Sequence, residues 1–347
     1  MPHVDHDRPD PVRWGILGAA AIARNKVIPA MQRSAWCDVA ALASRDEQRA
    51  RTTADQLGIR RAYGSYDALV DDPDIDAVYI PLPNHLHVPW SIRAAERGKH
   101  VLCEKPIALT AREARELIAV RDRTGVQIGE AFMIRMHPQW LAVRDLIGAG
   151  SIGELRQITS HFSYDRRDPN DIRSRVEWGG GVLMDVGCYA VLVSRWLFAA
   201  EPIEVTAMVD RDPEMGVDRL VSAMLRFSSG QASFTCSGQL VRHQRVHIFG
   251  ARGRIEVEIP LNAPPDRGCR IFIDDGRDTA GGGIDVITVP MADQYTAQAD
   301  HFSRSIRGLG TFPIPLEDSV ANMTVLDALF RSAVTGRCEP PDTISAA

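Results

Sequence analysis

Residues 12–131 alternate short apolar runs with longer segments whose apolar positions recur at helical spacing. Val12–Gly18, Val39–Ala43, Ala77–Ile80, His100–Cys103 and Val126–Ala131 read as five strands. Ala20–Ser34, Asp46–Leu57, Pro89–Arg97 and Ala111–Thr124 read as helices between them. Pro29 should bend or shorten the first. Gly58 and Gly98 stand just past two helix ends, where a left-handed residue closes the last turn. Strands alternating with helices over short connections predict a parallel, doubly wound sheet.

After residue 131 the rhythm changes. Pro138–Ala149 reads as a helix, Glu154–Ser163 as a strand, and a polar loop, Asp165–Glu177, precedes a glycine-led helix, Gly180–Phe198. Glu204–Val209, Leu220–Phe227, Ala232–Ser237, Arg245–Phe249, Arg254–Ile259, Arg270–Ile273 and Ile284–Val289 then alternate in polarity. That is the pattern of a large, mostly antiparallel sheet with one face covered. Gln294–Ile306 and Ser319–Val334 close the chain as helices. The expected fold class is therefore α/β, a doubly wound parallel sheet over 12–130 followed by an α+β domain over 131–347. Residues 1–11 read as a loose leader.

The chain has 347 residues, 45% hydrophobic and 24% charged, enough for two domains with a core. A net charge of −5 with scattered arginines gives no electrostatic case for nucleic acid or an anionic membrane. The most apolar stretch, Val182–Phe198, is broken by Asp185, Ser194 and Arg195, so no membrane span is expected. The start lacks a basic segment followed by an apolar core, so no signal peptide is read there. Six widely spaced cysteines without a C-x-x-C argue against zinc and against a disulfide scaffold. No metal is expected, and the cytoplasm fits best.

Trp14–Ala23 forms a strand, a tight turn and a helix start. In register with G-x-G-x-x-G/A, Gly18, Ala20 and Ala23 fill the three small-residue positions, so Gly18, Ala19, Ala20, Ile22 and Ala23 should meet a pyrophosphate. At the end of the second strand stand Ser44 and Arg45, where an arginine suits a 2′-phosphate and an acid would suit a ribose. NADP(H) is thus preferred over NAD(H). Two readings compete: Ser44 with Glu47 also makes a capping box, and Asp46 could turn toward a ribose. Leu102-Cys103-Glu104-Lys105-Pro106 puts an acid and an amine at a strand tip, where ligands bind in such sheets.

The glycine turn, Pro81-Leu82-Pro83-Asn84-His85-Leu86-His87, Glu104-Lys105-Pro106 and Gly179-Gly180-Gly181-Val182-Leu183-Met184-Asp185-Val186-Gly187-Cys188-Tyr189 together resemble one family. It is the Gfo/Idh/MocA family, named for glucose–fructose oxidoreductase, inositol dehydrogenase and rhizopine catabolism. The motifs keep the family's order over nearly the whole chain. Glu130–Pro138 and the D-x-G-x-Y ending look most like the branch of aldose (xylose) dehydrogenases and dimeric dihydrodiol dehydrogenase.

The resemblance implies a Rossmann domain, a substrate-binding and oligomerising second domain, and a nicotinamide beside Lys105. Asp185 and Tyr189 would face Lys105 across the reacting carbon. Pro81, Leu82 and Asn84 would line the nicotinamide ribose, with Glu104 close by and His87 near cofactor or packed as a cap. The three glycines, Gly179–Gly181, should let backbone pass close to a ligand. Arg135, Asn170, Arg173, Asp185, Tyr295 and Gln298 are the candidate substrate contacts.

Oxidising a carbinol requires a proton acceptor. Tyr189 is the expected one, with the Lys105 ammonium favouring its phenolate; the reverse assignment, Lys105 as base, stays open. The expected function is an NADP(H)-dependent oxidoreductase acting on a sugar, cyclic polyol or anhydrosugar. A trans-dihydrodiol or dicarbonyl dehydrogenase on the same scaffold is one alternative. A nucleotide-sensing regulator without turnover is the other. The large one-sided sheet predicts a homodimer or homotetramer.

Overall fold

The computed structural model describes residues 10–342, so the leader expected over 1–11 lies almost wholly outside the described residues. Six strands form a parallel sheet: β1 (Val12–Leu17), β2 (Cys37–Ala43), β3 (Arg61–Tyr63), β4 (Ala77–Ile80), β5 (His100–Cys103) and β6 (Ile128–Glu130). Their order is β3-β2-β1-β4-β5-β6. The order reverses between β1 and β4, which opens a crevice at their carboxyl ends. Trp14, Ile16, Leu42 and Tyr79 are fully buried in this sheet, which is why its strands read as unbroken apolar runs.

The hydrophobic pattern predicts five strands, and β3 is a sixth. It has three residues, all only partly buried, too few to carry an alternation. The capping box at Ser44 does not form. Asp46 caps the helix Glu47–Leu57, its carboxylate accepting the Arg49 N–H at 3.0 Å, while the Ser44 hydroxyl accepts the Asp46 N–H at 3.3 Å. Pro29 does not break its helix. A wide π turn, Ala23–Val27, runs directly into an α segment, Ile28–Arg33, so the helix continues past the proline with its widened turn just before it.

The second sheet has eight strands: β7 (Leu155–Asp165), β8 (Glu204–Arg211), β9 (Asp218–Arg226), β10 (Gln231–Ser237), β11 (Gln239–Gly250), β12 (Arg254–Val257), β13 (Cys269–Asp274) and β14 (Ile284–Val289). Their order is β14-β13-β12-β11-β7-β10-β9-β8, and only β7 and β10 run parallel. Ile158, Val221, Leu225, Phe234, Ile248 and Ile255 face inward and are buried. The helices Cys188–Phe198 and Leu316–Thr335 pack on that side. One row of the other face runs in register through Thr206, Met224, Ser233, Thr159, His247, Glu256, Phe272 and Val286.

The closing helices return to the first sheet. Helix Gln294–Ile306 lies against β1, where the Trp14 indole N–H donates to the Ser303 hydroxyl at 3.1 Å and the Trp14 ring leans on Phe302. Helix Leu316–Thr335 touches helix Ala111–Thr124 on one side and β8 on the other, so it is buried nearly all round. Val176–Phe198 is long and apolar enough to cross a membrane by length and composition alone. Its most apolar window is 78% buried inside the fold, as befits a core helix.

Candidate active site

The strand ends place the sequence motifs around one crevice. Gly18 follows β1 with φ +117, a left-handed geometry, and a methyl there would press on the Leu82 side chain at 3.0 Å. Ala19 and Ala23 are buried beside the helix start, with Ala20 and Ile22 half-buried. The first N–H groups of that helix and the Arg24 Nε, which is buried without a partner, suit an anionic pyrophosphate. Ser44 is buried and Arg45 exposed at the end of β2. A second arginine joins them: Arg49 donates to the Ala19 carbonyl at 3.2 Å. Its helical position, four residues past Arg45, was the available signal. Asp46 is engaged with its own helix, which leaves the arginines as the charged groups of this edge.

At the other end of the crevice, His87 does not face a cofactor. It is fully buried between the Pro106 carbonyl (2.7 Å) and the Leu82 carbonyl (2.8 Å), and burial lowers its pKa to about 4. It ties the loop after β4 to the loop after β5. Asn84 likewise spends its amide on the Gly179 carbonyl at 2.8 Å, and the neighbouring His85 stacks on Trp178. The glycine run makes room for protein rather than ligand. A side chain at Gly179 would overlap Leu109, and one at Gly181 would overlap the Asp218 carboxylate.

Lys105 and Asp185 meet at the centre. The Lys105 ammonium donates to the Asp185 backbone carbonyl at 2.5 Å and to its Oδ1 at 3.2 Å, both side chains being 12% exposed. The other oxygen, Oδ2, accepts the Tyr164 hydroxyl at 2.6 Å and pairs with Arg173 Nε at 2.9 Å. Burial alone would raise the Asp185 carboxyl. Arg173, Lys105 and Tyr164 outweigh it and hold the acid well below the usual carboxylate range. Burial would likewise lower Lys105, and Asp185 overrides it and raises the amine. Tyr164, at the end of β7, was missed from sequence; a lone tyrosine before a polar loop was the only signal.

Tyr189 is 4% exposed and lies with its ring face 5.1 Å from the Lys105 ammonium. Its hydroxyl donates to the Met133 sulfur at 3.2 Å. Burial raises this phenol well above its ordinary pKa, and Glu104, Tyr295, Cys188 and Asp185 push the same way. Lys105 therefore does not make Tyr189 a resting phenolate, and that expectation is corrected. The pair remains together. Glu104 accepts the Tyr79 hydroxyl at 2.6 Å, and burial raises its own pKa. Beneath the loop, Glu130 accepts the Ile107 N–H at 2.8 Å and is pushed by burial up to about 8.

Residues 12–132 match the family model described as "Oxidoreductase family, NAD-binding Rossmann fold", and 140–256 match the "GFO/IDH/MocA C-terminal domain". The chain belongs to the Gfo/Idh/MocA oxidoreductase family. It is 50% identical over 331 residues to an uncharacterized oxidoreductase of Rhizobium meliloti, covering 95% of this chain and 99% of that one. It is 40% identical over 326 residues to D-xylose 1-dehydrogenase (NADP(+)) 2 of Haloferax volcanii, covering 93% and 98%. Among solved structures, a 3-ketoreductase from Actinomadura kijaniata in complex with NADP and TDP-benzene superposes with a TM-score of 0.87. Identity there is 28%, over 93% of this chain and 98% of that one.

Not every candidate of this Gfo/Idh/MocA chain reaches the cluster. Arg135 turns away from it: the guanidinium sits 4.4 Å from the Trp196 ring, donates to the Pro313 carbonyl at 3.0 Å and pairs with Asp318 at 3.3 Å. It braces the segment after β6 against the last helix. Arg135→Gln should lower stability by about 1.5 kcal/mol, the worth of a hydrogen bond to a charged group, because Asp318 keeps its pair with Arg195 at 3.0 Å, with no change in substrate KM; urea unfolding and steady-state kinetics check both. Asn170 is exposed in a turn, its N–H on Asp168, and stays outside the cluster. Arg173 joins it. Tyr295 is half-buried on the Glu104 side, and Gln298 is buried with its amide oxygen unpartnered.

Proposed function

We propose that the chain is an NADP(H)-dependent oxidoreductase moving a hydride between nicotinamide and a carbinol or carbonyl carbon of a sugar, cyclic polyol or anhydrosugar. The observation that carries this is the Lys105–Asp185–Tyr189 cluster at the strand tips beside the Gly18 crevice. The D-xylose dehydrogenase and the 3-ketoreductase among its relatives support a sugar-type substrate.

A bound nicotinamide supplies or accepts the hydride. Lys105, anchored by Asp185, offers its remaining N–H to the reacting oxygen, and Arg173 with Tyr164 keeps Asp185 ionised. Tyr189, a protonated phenol, gives its proton to the carbonyl oxygen during reduction and is left as phenolate; oxidation runs the reverse, the phenolate taking the carbinol proton. For the oxidative step the ammonium lying over its ring favours the phenolate. Burial opposes that, so the phenolate that takes the carbinol proton forms only toward high pH, after the phenol has lost its proton to solvent. A scan of NADP+ reduction over aldoses, inositols and dihydrodiols tests the reading. NADP+ binding without turnover anywhere in the panel would replace it with a nucleotide-sensing protein.

NADP(H) preference rests on Arg45 and Arg49 at the end of β2 with Asp46 occupied as a cap. Arg45→Ala should weaken NADP+ by about 1.5–3 kcal/mol, the range for a charged hydrogen bond, and leave NAD+ nearly unchanged. Equal losses for both nucleotides in titration calorimetry would make Arg45 structural. We assign the outer face of the second sheet, with Met208 79% and Met224 48% exposed, to a second copy of the chain in the cytoplasm. Light scattering should give a dimer or tetramer mass, and Met208→Glu with Met224→Glu should lower it.

A further inference from the structure

We propose that Asp218 is a positioning residue that sets the turn carrying Asp185, and through it Lys105 and Tyr189. The inference rests on the oxidoreductase reading above. Asp218 opens β9, is 4% exposed, and its Oδ2 accepts the Leu183 N–H at 2.6 Å. Leu183 begins the π turn Leu183–Gly187, whose own preceding residue, Val182, provides no side-chain cap. The cap is therefore delivered from a strand 35 residues further along the chain. Oδ1 fills the space that a side chain on Gly181 would need, and Gly181 has φ +105. Glycine at this position lets the acid reach the helix start.

The consequence for the site is geometric. Asp185 is two residues past the capped N–H, and its own N–H donates to the Gly181 carbonyl at 3.1 Å. Both acceptors of the Lys105 ammonium, the Asp185 carbonyl and Oδ1, hang on this turn, and Tyr189 lies in the first turn of the helix that continues it. A π turn is an uncommon element found mostly at functional sites, and here its first N–H is held from β9 by Asp218. A small displacement moves every partner of Lys105 together.

The charged and titratable groups around Asp218 are Arg211 on β8, Cys236 on β10, and Tyr164, Arg166, Arg173 and Arg219 around the small cavity it lines, Arg166 being paired with Asp171. Arg173 and Arg219 are already paired, with Asp185 and Asp210. Burial raises the Asp218 carboxyl to about 6. Its folded pKa is thus above the unfolded one, the reverse of the usual carboxylate case. This group's contribution to stability is greatest at low pH and falls as pH rises from the ordinary carboxylate range through about 6. A neutral amide should relieve that cost while weakening the cap.

Asp218→Asn in the full chain separates the two effects. At pH 8 the Tm should stay or rise, NADP+ affinity should not change, and turnover on the best sugar should fall on the order of 10- to 100-fold from misplacement of the reacting groups. Hydrogen exchange with NADPH bound should quicken at 183–189 and nowhere else. Gly181→Ala, which displaces the carboxylate, should give the same local exchange. Unchanged exchange at 183–189 with normal turnover overturns the proposal, as does a lowered Tm with exchange quickened throughout. If the wild type turns over no sugar, the oxidoreductase reading fails, and the exchange pattern still decides the role of Asp218.

Discussion

Tyr189→Phe should lower turnover by about 10²–10⁴-fold, the usual contribution of a positioned acid or base, and leave NADP+ affinity nearly intact. The substitution keeps the ring that packs edge-on against Phe132 at 5.1 Å and removes only a hydroxyl whose partner is the Met133 sulfur at 3.2 Å. The fold should lose little, because a thioether is a weak acceptor. The pH profile carries the sign. The phenol sits above its ordinary range, so the wild type should reduce carbonyls at a constant rate through neutral pH and decline only where the phenol ionises. Oxidation should rise toward high pH, and that limb should vanish in the variant. A variant with near-normal turnover and an unchanged profile would move the proton to Lys105 or to water.

Lys105→Met should be at least as damaging, because it removes a donor to the reacting oxygen and the cation beside Tyr189 in one step. It should also change stability in a pH-dependent way. Asp185 is held below its ordinary pKa, so the stability it contributes is present above the unfolded carboxylate range and is lost as pH falls through and below it. Without Lys105, Arg173 still pairs with Asp185 at 2.9 Å, so the carboxylate is not orphaned. The variant should therefore unfold at lower urea than wild type at pH 8, with the difference shrinking as the pH is taken toward 3. A difference that grows on acidification would mean that the lysine, not the carboxylate, is the buried group under strain. Turnover restored by an added alkylamine would further assign the loss to the missing ammonium.

Much of the fold was legible because burial leaves a record in residue order. Strands covered on both faces, such as Val12–Leu17 and Cys37–Ala43, read as apolar runs, and strands covered on one face, such as Asp218–Arg226, read as alternation. Gly18 was legible because its backbone geometry excludes other residues. The edge strand Arg61–Tyr63 was not, since three half-buried residues carry no period. Arg135 was read as a sugar contact from its place after the last parallel strand. Its direction depends on Trp196, Pro313 and Asp318, which lie far along the chain.

The sequence by itself determined the two-sheet architecture and the place of Lys105 at a strand tip, because alternating period marks both. Its resemblance to the Gfo/Idh/MocA family implied that Asp185 and Tyr189 meet that lysine. The tertiary structure alone decided what each group does there. His87 became a clamp because two carbonyls from different loops close on its ring. The glycines serve Leu109 and Asp218, because the space they leave is filled by side chains from elsewhere in the chain. Tyr164 enters because β7 ends beside Asp185, and Tyr189 stays protonated because burial outweighs a single cation against its ring. Period and residue type specify which surfaces are buried. Direction, partner and charge state are set by atoms distant in sequence, and those no local pattern encodes.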